Sequence, residues 1–368
     1  MAGPYNVGVI GYGLSAKVFH IPFVQLTKSL KLYAIVQRSP SPGNSAPADY
    51  PSLKHFTSAD SMLQDPDVQV VIISTPPDTH FALASKALES DKHVLVEKPF
   101  VATSAEAEAL AALAREHRRM LCVYQNRRWD SDFLTVRKLI GDGTLGRIYE
   151  FETHFDRYRV DKPATWKGKL GMAQAGGVLY DLGSHLIDQV YVLFGKPTAA
   201  YAKFVDQRTG RLVSGEGSDQ EPDSINAVLS YADRGLLVHV RIGVLSVEAK
   251  QPRFWVRGSK GSYHKTGLDP QEDQLRGGKK ASDPDFGKED SSREGRLCTL
   301  QENGSFEDAP CPTVEPQTYV KLFELFGDAI SSGKEDDVPV SAGQAADVLR
   351  IIEALKESAR TGREVPLV

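Results

Sequence analysis

The chain has 368 residues, of which 41% are hydrophobic and 25% charged, with a formal net charge of −4. That length exceeds what one core comfortably fills, so two domains are expected. A near-neutral balance without a Lys/Arg stripe argues against a nucleic-acid face, and no apolar run approaches the roughly 20 residues of a membrane-spanning helix.

The N-terminal MAGPYNVGVIG enters a strand directly, with no charged n-region or apolar h-region, so secretion is not expected. Three cysteines, Cys122, Cys298 and Cys311, have neither CxxC nor metal-ligand spacing. Reduced thiols in a cytoplasmic setting are the expectation, without a metal. The sequon at Asn303 then reads as a turn.

Up to about residue 125, short β-branched runs alternate with helical patterns: YNVGVIG, LKLYAIVQR, VQVVIIST, KHVLVEKP and MLCVYQN. Such alternation predicts βαβ units and a parallel sheet, and the nearly continuous apolar character predicts strands covered on both faces. Thr103 and Glu106 form a T-x-x-E capping box ahead of EALAALAREH.

The first strand ends in Gly11-Tyr12-Gly13-Leu14-Ser15-Ala16, a G-x-G-x-x-A turn opening a helix. The first glycine permits the tight turn, the second lets the backbone approach a pyrophosphate, and Ala16 allows close helix–strand packing. The free amides at the helix start face the phosphates. Pro22 is expected to end or kink that helix after about two turns, since it lacks an amide donor. NAD-selective sites carry an acid at the end of the second strand. The window LYAIVQRSP, residues 32–40, contains none and offers Arg38 and Ser39 instead. A guanidinium beside a hydroxyl suits a 2'-phosphate, so NADP(H) is preferred over NAD(H) in this reading.

After Asn126 the texture changes. A helix from about Ser131 to Ile140 ends at Gly141-Asp142-Gly143. Longer, more polar strands follow: RIYEFETHF, AAYAKFVDQ, INAVLSYA, GLLVHVRIGVL and RFWVRGS. Their looser alternation predicts a mainly antiparallel sheet with one open face. Residues 267–296, rich in Gly, Pro, Ser and mixed charge, read as a long surface excursion or lid. Ser341 and Gln344 then cap a long amphipathic helix with Ala345, Leu349, Ile352 and Leu355 in one stripe. The expected fold is an α/β Rossmann domain with a parallel sheet, residues 1–126, followed by an α+β domain with a large, mostly antiparallel open sheet, residues 127–368.

Asp181 and His185 are four apart on the helix that ends before Gly195, so they share a face. They are either a helix cap and a satisfied buried histidine, or a carboxylate orienting an imidazole base. Lys98 precedes Pro99, which favours an extended conformation at a strand end. A crowded lysine there can donate a proton. His20, His154 and His264 lack partners at ligand spacing, and no metal is assigned to them.

STPPDTHF (74–81), VEKPF (96–100) and GGVLYDLGSHLID (176–188), in this order behind the glycine turn, resemble the glucose-fructose oxidoreductase, inositol dehydrogenase and rhizopine-catabolism (Gfo/Idh/MocA) family. FHIPF (19–23), VYQNRRWDSDF (123–133) and GLDPQEDQL (267–275) look most like its NADP-dependent scyllo-inositol dehydrogenase-like subgroup. The resemblance implies a dehydrogenase that interconverts a secondary alcohol and a ketone on a polyol, cyclitol or sugar. It places Lys98 near the nicotinamide and the substrate hydroxyl and favours the catalytic reading of the pair, with His185 as general base and Asp181 as its partner. It also implies that Thr75, Pro76, Pro77, His80, Glu97 and Asn126 lie along the cofactor, that Trp166 leans on the nicotinamide or sugar, although a loop tryptophan is as often a packing anchor, and that the open sheet pairs copies into a dimer or tetramer. Two alternatives share the fold: a nucleotide-sensing regulator and a cofactor-dependent glycosidase.

Overall fold

The computed structural model describes residues 3–163, 165–217 and 220–367. Its contacts divide it into two compact units. One comprises 1–126, 272–286 and 317–346, and the other 127–271, 287–316 and 347–368.

In the first unit, strands β1 (Tyr5–Ile10), β2 (Leu30–Val36), β3 (Lys54–Phe56), β4 (Val70–Ile73), β5 (His93–Val96) and β6 (Leu121–Val123) form a parallel sheet in the order β3-β2-β1-β4-β5-β6. Val9, Ile35, Val71, Ile73, Leu95 and Val96 are fully or almost fully buried, as both-face coverage requires. The strand order reverses at β1 and β4, so their carboxyl ends open the crevice in which such sheets take ligands.

Thr103 caps the helix Ser104–Glu116 as its sequence predicts. Its hydroxyl accepts the Glu106 amide at 3.2 Å, while the Glu106 carboxylate accepts the Thr103 amide at 3.2 Å. Pro22 does not end the first helix. A wide helical turn, Ala16–His20, gives way to an α-helix, Ile21–Leu26, and Pro22 falls in its first turn, where a missing amide costs little.

The first compact unit is not confined to residues 1–126, because 272–286 and 317–346 join it. Phe23 is fully buried, and the rings that cover it are Phe286, Tyr319 and Phe323, with centroids 6.3, 5.9 and 5.9 Å away. An apolar ring in this position demands cover, and two later segments of the chain supply it. The later of these holds the helix Val320–Ser332.

The second unit contains β7 (Ile148–Asp156), β8 (Ala199–Asp206), β9 (Arg211–Val213), β10 (Ser224–Tyr231), β11 (Leu236–Gly243), β12 (Pro252–Gly258), β13 (Gly261–Thr266), β14 (Gly295–Leu300), β15 (Phe306–Cys311) and β16 (Val365–Pro366). Its sheet runs β15-β14-β13-β12-β7-β11-β10-β8-β16, with β9 beside β8; β7 and β11 pair in parallel and the other pairs are antiparallel. Phe151 packs edge-on against Phe194 of the helix Ser184–Phe194, at 5.3 Å. The opposite face exposes Tyr149, Leu237 and Trp255.

Residues 267–296 are not a solvated lid. Asp269 and Gln271 are buried in the second unit, where Gln271 opens the helix Gln271–Arg276, and Phe286 is buried in the first. The Lys265 ammonium, 1% exposed, donates to Glu289 Oε1 and to the Thr266 and Arg293 carbonyls at 2.7–2.8 Å. Polar pairing orders this stretch together with the buried Leu275 and Phe286, and its few apolar residues are why its composition reads as loop. The last long helix spans Ala342–Thr361; Ser341 Oγ accepts the Gln344 amide, and Ala345, Leu349, Ile352 and Leu355 are buried. Among the described residues, no helix is long and apolar enough to cross a membrane.

Candidate functional site

The candidate residues fall into two groups, one in each unit. In the first, the glycine turn meets the demands of a dinucleotide. Gly11 has φ +100°, and a Cβ there would lie 2.4 Å from the Ser74 carbonyl oxygen and 3.3 Å from Thr75 Cγ2. The turn therefore lies directly against the end of β4. A Cβ on Gly13 would meet no protein atom within 4 Å, which leaves the backbone open to close approach by a phosphate. Ala16 is fully buried, as its place in the pattern requires. Tyr12 donates to Asp49 Oδ2 at 2.6 Å, and the Lys17 ammonium lies 4.3 Å from the centre of its ring. Leu14, Arg38 and Ser39 are exposed; the latter two follow β2 after the buried Gln37.

Thr75, Pro76, Pro77 and His80 follow β4 as expected, with Thr75 Oγ1 2.7 Å from Thr79 Oγ1. His80 has a narrower part than the sequence suggests. It is 1% exposed, with Nδ1 at 2.9 Å from the Pro99 carbonyl and Nε2 at 2.9 Å from that of Thr75. Its ring braces one turn against the other and presents neither nitrogen to a ligand. Burial pulls its pKa down, outweighing the carbonyls and the Glu97 charge.

Glu97 and Lys98 follow β5, and the Lys98–Pro99 peptide is cis. Lys98 is half-buried, whereas Glu97 is buried and fully engaged. Its Oε1 accepts the Ser15 hydroxyl and lies 3.0 Å from His20 Nε2, and its Oε2 accepts the Lys98 amide at 2.8 Å. Burial alone would raise this carboxyl. The His20 hydrogen bond and charge, the Lys98 charge and the Ser15 hydroxyl overcome that and hold it down at about 2. Asn126, which opens the short helix Asn126–Trp129, is buried.

In the second unit, Asp181 and His185 do not share one regular α-helix. A wide turn, Leu179–Gly183, carries Asp181, and the α-helix begins at Ser184. Asp181 Oδ1 accepts the Lys167 ammonium at 2.9 Å, so the carboxylate reaches toward the polar ATWKGK loop. His185 is 4% exposed. Trp166 starts the single turn Trp166–Gly168, and its side chain lies outside the described residues.

The helix that carries His185 is held by charged groups the sequence reading did not single out. Arg128 grips Asp188 with two hydrogen bonds of 2.8 and 2.7 Å. Gln189 donates to the Arg127 carbonyl and accepts from Arg253, both at 2.8 Å. Arg253, completely buried, also donates to Asp132 Oδ2 at 2.9 Å. Asp269 closes the cluster by accepting the Ser131 amide at 2.7 Å. Burial, with the Asp132 charge behind it, pushes Asp269 up to about 6, and burial with the Asp269 charge pushes Asp130 well above the carboxylate range. Ser131 of NRRWDSDF and Asp269 of GLDPQEDQL thus meet inside the second unit.

Comparison with known proteins agrees with this architecture. A family model described as an oxidoreductase family with an NAD-binding Rossmann fold matches residues 5–125, and one for the C-terminal alpha/beta domain of that family matches 137–367. The uncharacterised oxidoreductase YdgJ of Escherichia coli K12 is 37% identical over 360 residues, covering 98% of each chain. The scyllo-inositol 2-dehydrogenase (NADP(+)) IolW of Bacillus subtilis is 35% identical over 362 residues, covering 98% of this chain and 96% of its own. The solved structure of yvaA from Bacillus subtilis superposes with a TM-score of 0.88 at 33% identity, over 99% of this chain and all of that one. A parallel-sheet nucleotide domain with an intact glycine turn, joined to a large, mostly antiparallel sheet domain, places this chain in the Gfo/Idh/MocA family of oxidoreductases.

Proposed function

We propose that the protein is an NADP(H)-dependent dehydrogenase that interconverts a secondary alcohol and a ketone on a polyol, cyclitol or sugar. The observation that carries the cofactor choice is the end of β2. Arg38 and Ser39 are exposed there, and residues 32–40 contain no carboxylate to take a ribose 2'-hydroxyl. The NADP-linked name of IolW supports both the cofactor and the cyclitol class.

When bound, NADP(H) accepts or supplies the hydride at the carbinol carbon. The chain's own residues manage the proton. In oxidation, His185 takes the hydroxyl proton on a ring nitrogen, and Asp181 stabilises the imidazolium that results. Lys98 donates a hydrogen bond to the same oxygen and opposes the negative charge that develops as the proton leaves. In reduction the imidazolium returns the proton to the carbonyl oxygen. The Arg128–Asp188 pair and the Gln189 bonds hold the His185 helix still, which fixes the base without loop ordering during turnover. Assembly into dimers or tetramers through the open sheet face belongs to the same reading, since that face leaves Tyr149, Leu237 and Trp255 exposed. Light scattering tests it, and a monomer at all working concentrations contradicts it.

His185→Ala is the direct test of the chemistry. Turnover falls by about 10²–10⁴ while NADPH affinity stays within about twofold. Unchanged turnover removes His185 from the reaction. Tight NADPH binding with no turnover on any polyol, ketose or aldose points instead to a sensor.

A further inference from the structure

The least expected polar arrangement in the first unit is a histidine that the motif reading leaves idle. His20 is completely buried, in the wide turn Ala16–His20 beyond the glycines. Its ring lies 4.4 Å from that of Tyr124 and edge-on to Phe323 at 6.1 Å, and the Tyr124 hydroxyl donates to the neighbouring Phe19 carbonyl at 2.8 Å. Packed aromatics on these sides leave the imidazole one orientation. Nε2 then meets Glu97 Oε1 at 3.0 Å, while Nδ1 is buried with no hydrogen-bond partner among the described residues. Nε2 is thus the ring nitrogen whose proton the carboxylate accepts.

Glu97 also accepts the Ser15 hydroxyl, from the phosphate side of the glycine turn, and the Lys98 amide. In the sheet β1 and β5 are not neighbours, because β4 lies between them. At about 5 Å per strand, one carboxylate therefore ties together two strand ends roughly 10 Å apart. An ionised carboxylate buried this deeply persists only with its donors in place.

We propose that His20 is a positioning residue of the cofactor site: acting through Glu97, it fixes the Ser15 hydroxyl at the phosphate turn and the Lys98 backbone at the end of β5 in a single register. This rests on the dinucleotide reading and extends it. The two ends of the bound cofactor are registered by one buried hydrogen-bonded unit, and His20 works without touching the cofactor. Without the imidazole, Glu97 is left to protonate or turn away, and Ser15 and Lys98 lose their common anchor.

The test is the NADPH dissociation constant of the full chain, read from nicotinamide fluorescence in the absence of substrate, with thermal melting of each apo variant alongside. His20→Leu weakens NADPH about tenfold, the loss of one charge-assisted hydrogen bond. His20→Gln, whose amide reaches the Nε2 position, stays within about threefold of the original protein, whereas His20→Asn, too short to reach, behaves like His20→Leu. In a Glu97→Ala background, His20→Leu causes no further loss, because its effect travels through Glu97. Two results overturn the proposal: undiminished affinity in His20→Leu, or the same loss with and without Glu97, which marks a packing role. If His20→Leu does not fold, equal affinities for the Gln and Asn variants overturn it. Failure of the unsubstituted protein to bind NADPH refutes the dinucleotide reading itself, an outcome visible before any variant is made.

Discussion

A methyl group on Gly11 would sit 2.4 Å from the Ser74 carbonyl oxygen, at a backbone φ of +100° that side chains rarely adopt. Gly11→Ala therefore moves either the turn or β4, and loss of NADPH binding together with a lower melting temperature is the expected result. Arg38 is exposed, and in the proposed site it would take the 2'-phosphate at the other end of the cofactor. Arg38→Ala removes a charge-assisted hydrogen bond worth about 1.5–3 kcal/mol, so NADPH affinity drops roughly ten- to a hundredfold. NADH affinity stays level, and isothermal titration with both cofactors measures the split. The folded-state pKa of Glu97 is depressed, to about 2. Its contribution is therefore complete above the ordinary carboxylate value and is lost as pH falls toward 2.

The helix Ser184–Phe194 depends on buried charges that are paired across long stretches of sequence. Arg253→Met leaves Asp132 uncompensated in the interior, which costs about 3–5 kcal/mol and lowers the melting temperature by about 10 °C in a unit of this size. Asp132→Asn in the same protein removes the stranded charge, so the double variant melts above the single one, as calorimetry can establish. Asp269 has the opposite sign to Glu97. Its pKa rises on folding to about 6, so the folded state keeps a proton the unfolded chain has released. Stability thus falls as pH rises from about 4 to about 6 and is level beyond. Asp269→Asn keeps an acceptor and removes the titration, so the gap between its melting temperature and that of the parent changes across this interval. A constant gap from pH 4 to 7 contradicts the assignment.

Periodicity reads the elements well where burial is two-sided and poorly where it is not. β1, β2, β4, β5 and β6 are apolar on both faces and stand out in the sequence. β3 is three residues, Lys54-His55-Phe56, at an edge with its first residue exposed, and no hydrophobic pattern announces it. β14 and β15 form the outer edge of the other sheet with their side chains largely in water, so RLCTL and FEDAPC look like loop. The site divides in the same way. The glycine turn, Lys98 and the Asp181–His185 pair lie in compact motifs. His20 and Glu97 are 77 positions apart, and Ser131 and Asp269 138 apart, so only the folded chain joins them.

At the scale of the whole molecule, neither unit is a continuous stretch. Residues 272–286 and 317–346 complete the nucleotide unit, and the chain then returns to the sheet unit with 347–368. Cutting at 126/127 therefore removes Tyr319, Phe323 and Phe286 from around Phe23. A fragment of residues 1–126 is expected to expose that apolar surface and to aggregate or melt well below the full chain, as scanning fluorimetry can compare. The central claim is NADP-linked oxidation of a secondary alcohol with His185 as the base. Initial rates of NADP+ and NAD+ reduction across inositols, aldoses and other polyols, for the protein and its His185→Ala variant, test it most directly. The expected result is at least one substrate with a higher kcat/KM for NADP+ than for NAD+, and a rate that collapses in the variant. A preference for NAD+, or a variant as fast as the parent, contradicts it.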